Sequence, residues 1–322
     1  MTGLKRLLAA AAVLLCGALQ IAAAEDYPAR PVKILVGIGA GGITDITMRL
    51  YGEVVARDIG QSVIIENRPG GGGALAASAA QAATPDGYTL LAFYGSQVAA
   101  MAASQQAGYD AAKGLQPITL VCENITFIAV PATSPVNTVA ELLALGKSKP
   151  GGLIFGSPGV GTPSHFLAAR IAKVSDTPTR FVHYRGGPPM LTDLLADRLD
   201  YALPSFTLAN PFLAEKKLKV LAVDSPTRLP GFPDVPTLTE AGLGGAKVAN
   251  WIGVAAPPGT PPAIVSKLNE AFRKAAADPE LKKKLAINGT PIKVSSPEEM
   301  GRMLDAEIVS TKELVDELGM RQ

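Results

Sequence analysis

Short β-branched runs alternate with helical stretches twice along the chain, and glycine-rich turns mark several of the strand-to-helix junctions. Residues 32–36 (Val-Lys-Ile-Leu-Val) read as a strand, 43–59 as an amphipathic helix, 62–66 as a strand, 74–83 as an alanine-rich helix and 89–93 as a strand. Apolar residues at Ile43, Ile46, Leu50 and Val54 recur at helical spacing. Strand–helix alternation of this kind calls for a largely parallel sheet with helices on its faces. Residues 118–131 read as a strand pair or a crossing connection. A second block then opens with a capping box at Thr138-Val139-Ala140-Glu141 and a helix to Lys147. Strands at 153–156, 180–184, 199–203 and 218–223 follow, with helices at 163–174 and 188–195 between them. The run 251–255 can return the chain to the first block. The end is helical: Thr260 is read as a cap with Pro261 at the first helical position, Asp278-Pro279 starts another helix, and Ser296-Pro297-Glu298-Glu299 is a capping box. The expected fold is α/β, two lobes joined by crossing strands.

Residues 1–24 stand outside this pattern. Lys5 and Arg6 precede an apolar run from 7 to 15, and Ala22-Ala23-Ala24 offers small residues for cleavage. That is the build of a secretory signal, and the run is too short and too interrupted for an anchor. Without Lys5 and Arg6 the remaining chain carries 28 basic and 28 acidic side chains, so its formal net charge is zero. A neutral chain offers no electrostatic footprint for nucleic acid. Only Cys122 is left of two cysteines, which excludes a disulfide framework; flanked by Leu120 and Val121, it reads as a buried strand thiol.

Four junctions could hold a ligand. Gly37-Ile38-Gly39-Ala40-Gly41-Gly42 follows a strand and opens a helix, with Thr44 and Asp45 in its first turn. Read as G-x-G-x-x-G, with Glu66 ending the next strand, it fits a dinucleotide fingerprint. The same geometry suits any small anion, because glycines admit close approach and a helix N-terminus directs N–H groups at it. The second is Ser157-Pro158-Gly159-Val160-Gly161-Thr162-Pro163-Ser164-His165, where Thr162 caps a helix and His165 is either a ligand contact or a helix-end hydrogen bonder. The third, Tyr184-Arg185-Gly186-Gly187, offers Arg185 as a carboxylate clamp or as a solvent-exposed loop residue. The fourth is Tyr94-Gly95-Ser96. Hydrolase chemistry does not assemble: the only histidines are His165 and His183, and Gly156-Ser157-Pro158-Gly159 lacks nucleophile-elbow spacing. Without an H-x-x-x-H pair or clustered cysteines there is no metal motif.

Taken in order, these motifs resemble one family. The elements Tyr27-Pro28-Ala29-Arg30-Pro31, Gly41-Gly42-Ile43-Thr44-Asp45, Glu66-Asn67-Arg68-Pro69-Gly70 and Pro85-Asp86-Gly87-Tyr88-Thr89-Leu90 are similar to those of Bug-type extracytoplasmic receptors of tripartite tricarboxylate transporters. So are Gly161-Thr162-Pro163-Ser164-His165, Tyr184-Arg185-Gly186-Gly187, Asp234-Val235-Pro236-Thr237 and Ala256-Pro257-Pro258-Gly259-Thr260-Pro261. The resemblance implies a type II periplasmic binding protein fold, with residues 25–124 plus 250–322 as one lobe and 125–249 as the other. It implies a small carboxylate in the cleft, transporter membrane subunits as partners, a periplasmic monomer, and neither catalysis nor a cofactor. By position it maps ligand contacts to Gly39, Ala40, Gly41, Gly42, Thr44 and Asp45 in a first-lobe loop and to Ser157, Gly161, Thr162, Ser164 and His165 in a second-lobe loop, with Ser205 near another cleft-lining strand end; the junction readings add Tyr94, Gly95, Ser96 and Arg185 as candidate contacts. Two departures stand out. Gly37-Ile38-Gly39-Ala40 replaces an aromatic-containing loop, and Tyr201-Ala202-Leu203-Pro204-Ser205 lacks an acidic residue found in many members, which favours a ligand without an ammonium group. The alternatives on the residues alone are a NAD-dependent enzyme built on the 37–42 turn and a ligand sensor for a signalling partner.

Overall fold

The computed structural model describes residues 27–104, 114–246, 248–287 and 289–317; the leader assigned to residues 1–24 lies outside them. The first block comprises β1 (Val32–Val36), α1 (Ile43–Ile59), β2 (Val63–Asn67), α2 (Ala74–Gln81), β3 (Thr89–Tyr94), α3 (Gly95–Ser104) and β4 (Gln116–Glu123). The second comprises β5 (Phe127–Pro131), α4 (Val139–Ser148), β6 (Leu153–Ser157), α5 (Pro163–Val174), β7 (Thr179–His183), α6 (Gly187–Leu195), β8 (Tyr201–Ala202), α7 (Phe206–Ala214) and β9 (Leu218–Val223). The chain then returns through β10 (Trp251–Ala256), α8 (Pro262–Ala277), α9 (Pro279–Ile287) and α10 (Pro297–Glu317).

Two five-stranded sheets result, ordered β2-β1-β3-β10-β4 and β7-β6-β8-β5-β9. In the first, β1 pairs parallel with β2 and β3, and β10 runs antiparallel between β3 and β4. The second repeats the plan: β6 pairs parallel with β7 and β8, and β5 runs antiparallel between β8 and β9. Residues 118–131 therefore split between β4 and β5, in different sheets, with residues 124–126 crossing from one to the other.

Both faces of the first sheet are covered, which is why β1 reads as an almost unbroken apolar run. Successive side chains alternate faces. Ile34 and Val36 pack with Met48, Tyr51 and Val55 of α1 and Leu268 and Phe272 of α8, while Leu35 packs with Ala76, Ala77 and Ala80 of α2 and Met300 of α10. Burying one such large side chain contributes about 1.5–3 kcal/mol. The Tyr51 hydroxyl donates to the Val121 carbonyl at 2.8 Å and ties α1 to β4, beside the buried thiol of Cys122. In the second lobe Phe155 and Tyr201 pack with Leu167 and Ile171 of α5 on one face, and Met190 and Leu194 of α6 pack with Ala129 and Ala202 on the other.

Local capping follows the sequence at Thr138, Thr162, Asp278 and Ser296. Thr138 Oγ1 accepts from Glu141 N–H at 3.1 Å while Glu141 Oε2 accepts from Asn137 N–H, and Ser296 Oγ accepts from Glu299 N–H at 3.1 Å. Thr260 is a correction. Its hydroxyl donates to the Pro257 carbonyl at 2.8 Å and closes the preceding turn, so Pro261 is the N-cap of α8 and the helix starts at Pro262. Strand 199–203 contracts to Tyr201–Ala202, because Pro204 has no N–H to pair and the Leu203 carbonyl accepts from Ser164 Oγ. Two helices have no counterpart in the sequence reading: α3 opens on Gly95 directly from β3, and α7 carries Pro211 within it.

Candidate functional site

The parallel strands of both sheets end toward one crevice, where ligands gather in open α/β sheets. Helices α1, α3, α5, α6 and α7 start there, directly after β1, β3, β6, β7 and β8. Four of them contribute their first residues to one cavity of about 30 Å³. Ile38, Gly42, Ile43 and Tyr94 line it from the first lobe. Pro158, Thr162, Ser164, Gly187 and Met190 line it from the second, with Leu203, Pro204, Ser205 and Leu208 from the β8–α7 corner. Asn124 and Thr126 complete it from the crossing segment.

The two glycine-rich turns are braced from within. Gly41, at φ +76°, donates its N–H to Asp45 Oδ2 at 2.9 Å, and Asp45 Oδ1 pairs with Arg49 at 2.8 Å. Burial works against ionisation of Asp45, but Arg49 and the Gly41 N–H outweigh it and hold the carboxyl below its ordinary range. In the second lobe Gly161, at φ +75°, donates to His165 Nδ1 at 3.2 Å. Burial, reinforced by His183, pushes His165 down to about 3, so the ring is neutral and Nδ1 is free to accept. Thr162 Oγ1 accepts from His165 N–H and donates to the Gly159 carbonyl, and Ser157 Oγ bonds Gly159 in the same loop.

The lobes touch across the crevice. Gly39 N–H donates to the Arg185 carbonyl at 3.1 Å, and a Cβ at Gly39 would stand 2.4 Å from that oxygen. Ser96 Oγ donates to the Gly161 carbonyl at 3.1 Å. Behind the cavity Asn124 N–H donates to the Asn250 carbonyl at 2.9 Å, and Asn124 Nδ2 to Asn250 Oδ1 at 3.2 Å, so the two crossing segments run side by side.

The anticipated site residues thus fall into groups. Gly42, Tyr94, Thr162, Ser164 and Ser205 line the cavity. Gly39, Gly41, Asp45, Ser96, Ser157, Gly161 and His165 shape or join the turns around it, and Thr44 is buried in the first turn of α1. Gly95 packs against Trp251, whose ring a Cβ would meet at 2.0 Å. Ala40 and the Arg185 side chain are exposed, and Arg185 serves through its carbonyl. Ile38 and Ile43 line it from within the anticipated first-lobe loop, whereas sequence reasoning missed Asn124, Thr126, Met190 and Leu208; their residue types read as core or turn, and only the fold brings them together. The dinucleotide alternative loses its ribose acid: Glu66 pairs with Lys33 at 2.7 Å and with Arg68 near the end of edge strand β2, and it does not line the cavity. Among the described residues, no group of three or more His, Cys, Asp or Glu could hold a metal ion, and no helix is long and apolar enough to cross a membrane.

Comparison with known proteins agrees with this architecture. A UPF0065 protein of Bordetella pertussis is 34% identical over 315 residues, 97% of this chain and 96% of the relative. The solved structure of the periplasmic binding protein BugD superposes with a TM-score of 0.86 at 29% identity, covering 92% of this chain and 99% of BugD. MatC from Rhodopseudomonas palustris, solved with bound malate, superposes at 0.84 with 30% identity over 90% of this chain and all of MatC. Residues 47–320 match the model of the tripartite tricarboxylate transporter family receptor. The chain is therefore a Bug-type member of the tripartite tricarboxylate transporter receptor family.

Proposed function

We propose that this protein works in the periplasm, exported on residues 1–24, where it captures a small organic carboxylate between its lobes and presents it to the membrane subunits of a tripartite transporter. One observation carries the ligand class: the N-termini of α1, α5, α6 and α7 open on a single cavity. The first N–H groups of a helix have no intrahelical partner, and its dipole favours negative charge. Residues 25–124 with 250–322 form one lobe and 125–249 the other, and the crossings near Asn124 and Asn250 serve as the hinge. The ligand contacts are the lining members of the anticipated set, from Gly42 to Ser205; the bracing members hold the turns in place. No step of catalysis is needed, and MatC, with its malate, is a precedent for carboxylate capture on this scaffold. Both sheets are completed within one chain, which supports a monomer.

The test is a thermal-shift screen of residues 25–322 against carboxylates, amines, NAD and NADP. A ligand at 100 times its Kd stabilises the folded state by about 2.7 kcal/mol. Stabilisation by a carboxylate, with silence from NAD and NADP, is the expected result. Stabilisation by NAD alone would sink the receptor reading.

A further inference from the structure

A second and larger cavity, of about 840 Å³, lies where the chain crosses between the lobes. Apart from Asn124 it shares no lining residue with the cavity of the crevice. The first lobe contributes one face of α10, with Met303, Glu307 and Ser310 at helical spacing. The second contributes Asp224, just after β9, with Leu238 and Leu243 beyond it. The titratable lining is entirely acidic. Glu123, Asp224 and Glu307 line this cavity, and among the described residues no Lys, Arg or His does. Glu123 is paired with Lys293 at 2.6 Å. Asp224 and Glu307 have no cationic partner among the described residues. Glu307 is more than nine-tenths buried, and its carboxylate accepts only from Thr311 Oγ1, at 3.5 Å. A carboxyl so buried is ordinarily paired. Burial pushes the Asp224 carboxyl up to about 6 and that of Glu307 up to about 7. Asn124, also more than nine-tenths buried, leaves its Oδ1 without a partner, so a further acceptor lines the same cavity. Among the described residues no group of three or more such side chains could hold a metal ion. Carboxyls set apart in a roomy cavity with walls such as Ile125, Leu238, Leu243 and Met303 suit a cation whose charges are also set apart, on an apolar body. The Trp251 ring lines the cavity too, and an aromatic face attracts ammonium.

We propose that this cavity is a second binding site, which takes an elongated organic diammonium ion with one ammonium at Glu307 of the first lobe and the other at Asp224 of the second. The site is independent of whatever the crevice binds.

Calorimetry on residues 25–322 at pH 8 tests this with the series from 1,3-diaminopropane to 1,6-diaminohexane, against butylamine and magnesium chloride. One diamine should bind about tenfold tighter than butylamine, the gain expected from a second charge-assisted hydrogen bond. Magnesium, whose two charges sit at one point, should be weaker still. Trp251 is the only tryptophan, so its fluorescence should change along the same titration. Glu307→Gln keeps the shape and removes a charge that burial disfavours, so the ligand-free variant should melt no lower. Its affinity for the best diamine should fall about tenfold, to that of butylamine. Diamine affinity should also fall as pH drops from 8 to 5.5, because Glu307 and then Asp224 take up protons while the ammonium groups stay charged. Butylamine or magnesium binding as tightly as the best diamine would overturn the proposal, as would a Glu307→Gln variant that binds the diamine undiminished. Binding without a change in Trp251 fluorescence, a flat pH profile, or silence from every diamine would overturn it too. Each of these outcomes leaves the carboxylate receptor reading intact.

Discussion

In the first lobe a carboxylate holds the glycine-rich turn, and in the second an imidazole does. Gly41 and Gly161 sit at φ +76° and +75°, and each gives its N–H to a side chain four residues later, Asp45 at 2.9 Å and His165 at 3.2 Å. Asp45 is anionic and leans on Arg49. His165 is neutral and lies against His183, ring centroids 4.6 Å apart. What the turn requires is an acceptor at that spacing, reached from the first turn of the helix. Charge is optional. The two lobes therefore carry the same geometry with different sensitivities to mutation and to acid.

The comparison is most easily broken at Asp45. Asp45→Ala removes a charged acceptor and strands the Gly41 N–H, while Arg49 keeps Asn67 and water, and should cost about 1.5–3 kcal/mol, read as a lower urea midpoint with unchanged slope. A loss as small as that of a surface substitution would mean that the first turn does not depend on its brace. Next comes Gly39→Ala, where the new methyl meets the Arg185 carbonyl. Overpacking against backbone should weaken ligand binding by about 1–3 kcal/mol, while the melting temperature of the ligand-free protein barely moves. Equal losses in both would place the contact in folding rather than in lobe closure.

Acid sharpens the contrast. His165 binds its proton in the unfolded chain near the ordinary 6.5 but in the folded chain only near 3. The unfolded state thus takes up the proton first, and stability falls as pH drops from about 6.5 toward 3, by no more than about 1.4 kcal/mol per pH unit from this one group. Asp45, with its folded value lowered, loses its contribution only as pH falls below the ordinary carboxylate range. Histidine NMR should show the His165 ring neutral at pH 5; a charged ring there would defeat the assignment. The smallest effect is expected for His165→Gln, which can keep a neutral acceptor. It should cost about 0.5–1.5 kcal/mol and flatten the pH 6.5 to 3 slope.

Much of this was readable from residue order. Leu35 between Ile34 and Val36 announces a strand buried on both faces, and Gly41 with Asp45, or Thr162 with Pro163, announces a helix start. The helix Phe206–Ala214 was not readable, since Pro211 argues against a helix interior and only packing of Ala209 and its neighbours on the second sheet offsets the missing N–H. Helix Gly95–Ser104 begins on a glycine, a poor helix former, because the Trp251 ring leaves no room for a side chain there. The cavity was half legible. Motif residues at helix starts could be picked out, but Met190 and Leu208 look like core leucines and methionines anywhere. Asn124 gains its meaning from Asn250, which meets it only when both crossings are in place.

The position of β10 between β3 and β4 also orders the birth of the molecule. Every strand of the second sheet lies within residues 127–223, an unbroken stretch of chain, whereas the first sheet joins Trp251 to Glu123 and Ile252 to Tyr94. Contacts so distant in sequence are slow to form, because loop closure precedes their reward. A growing chain that has not reached Trp251 can complete the younger lobe but leaves the older one split, with β3 and β4 separated by an unfilled gap. The lobe that comes first in sequence is the last to be finished, and the strand that finishes it enters beside the hinge.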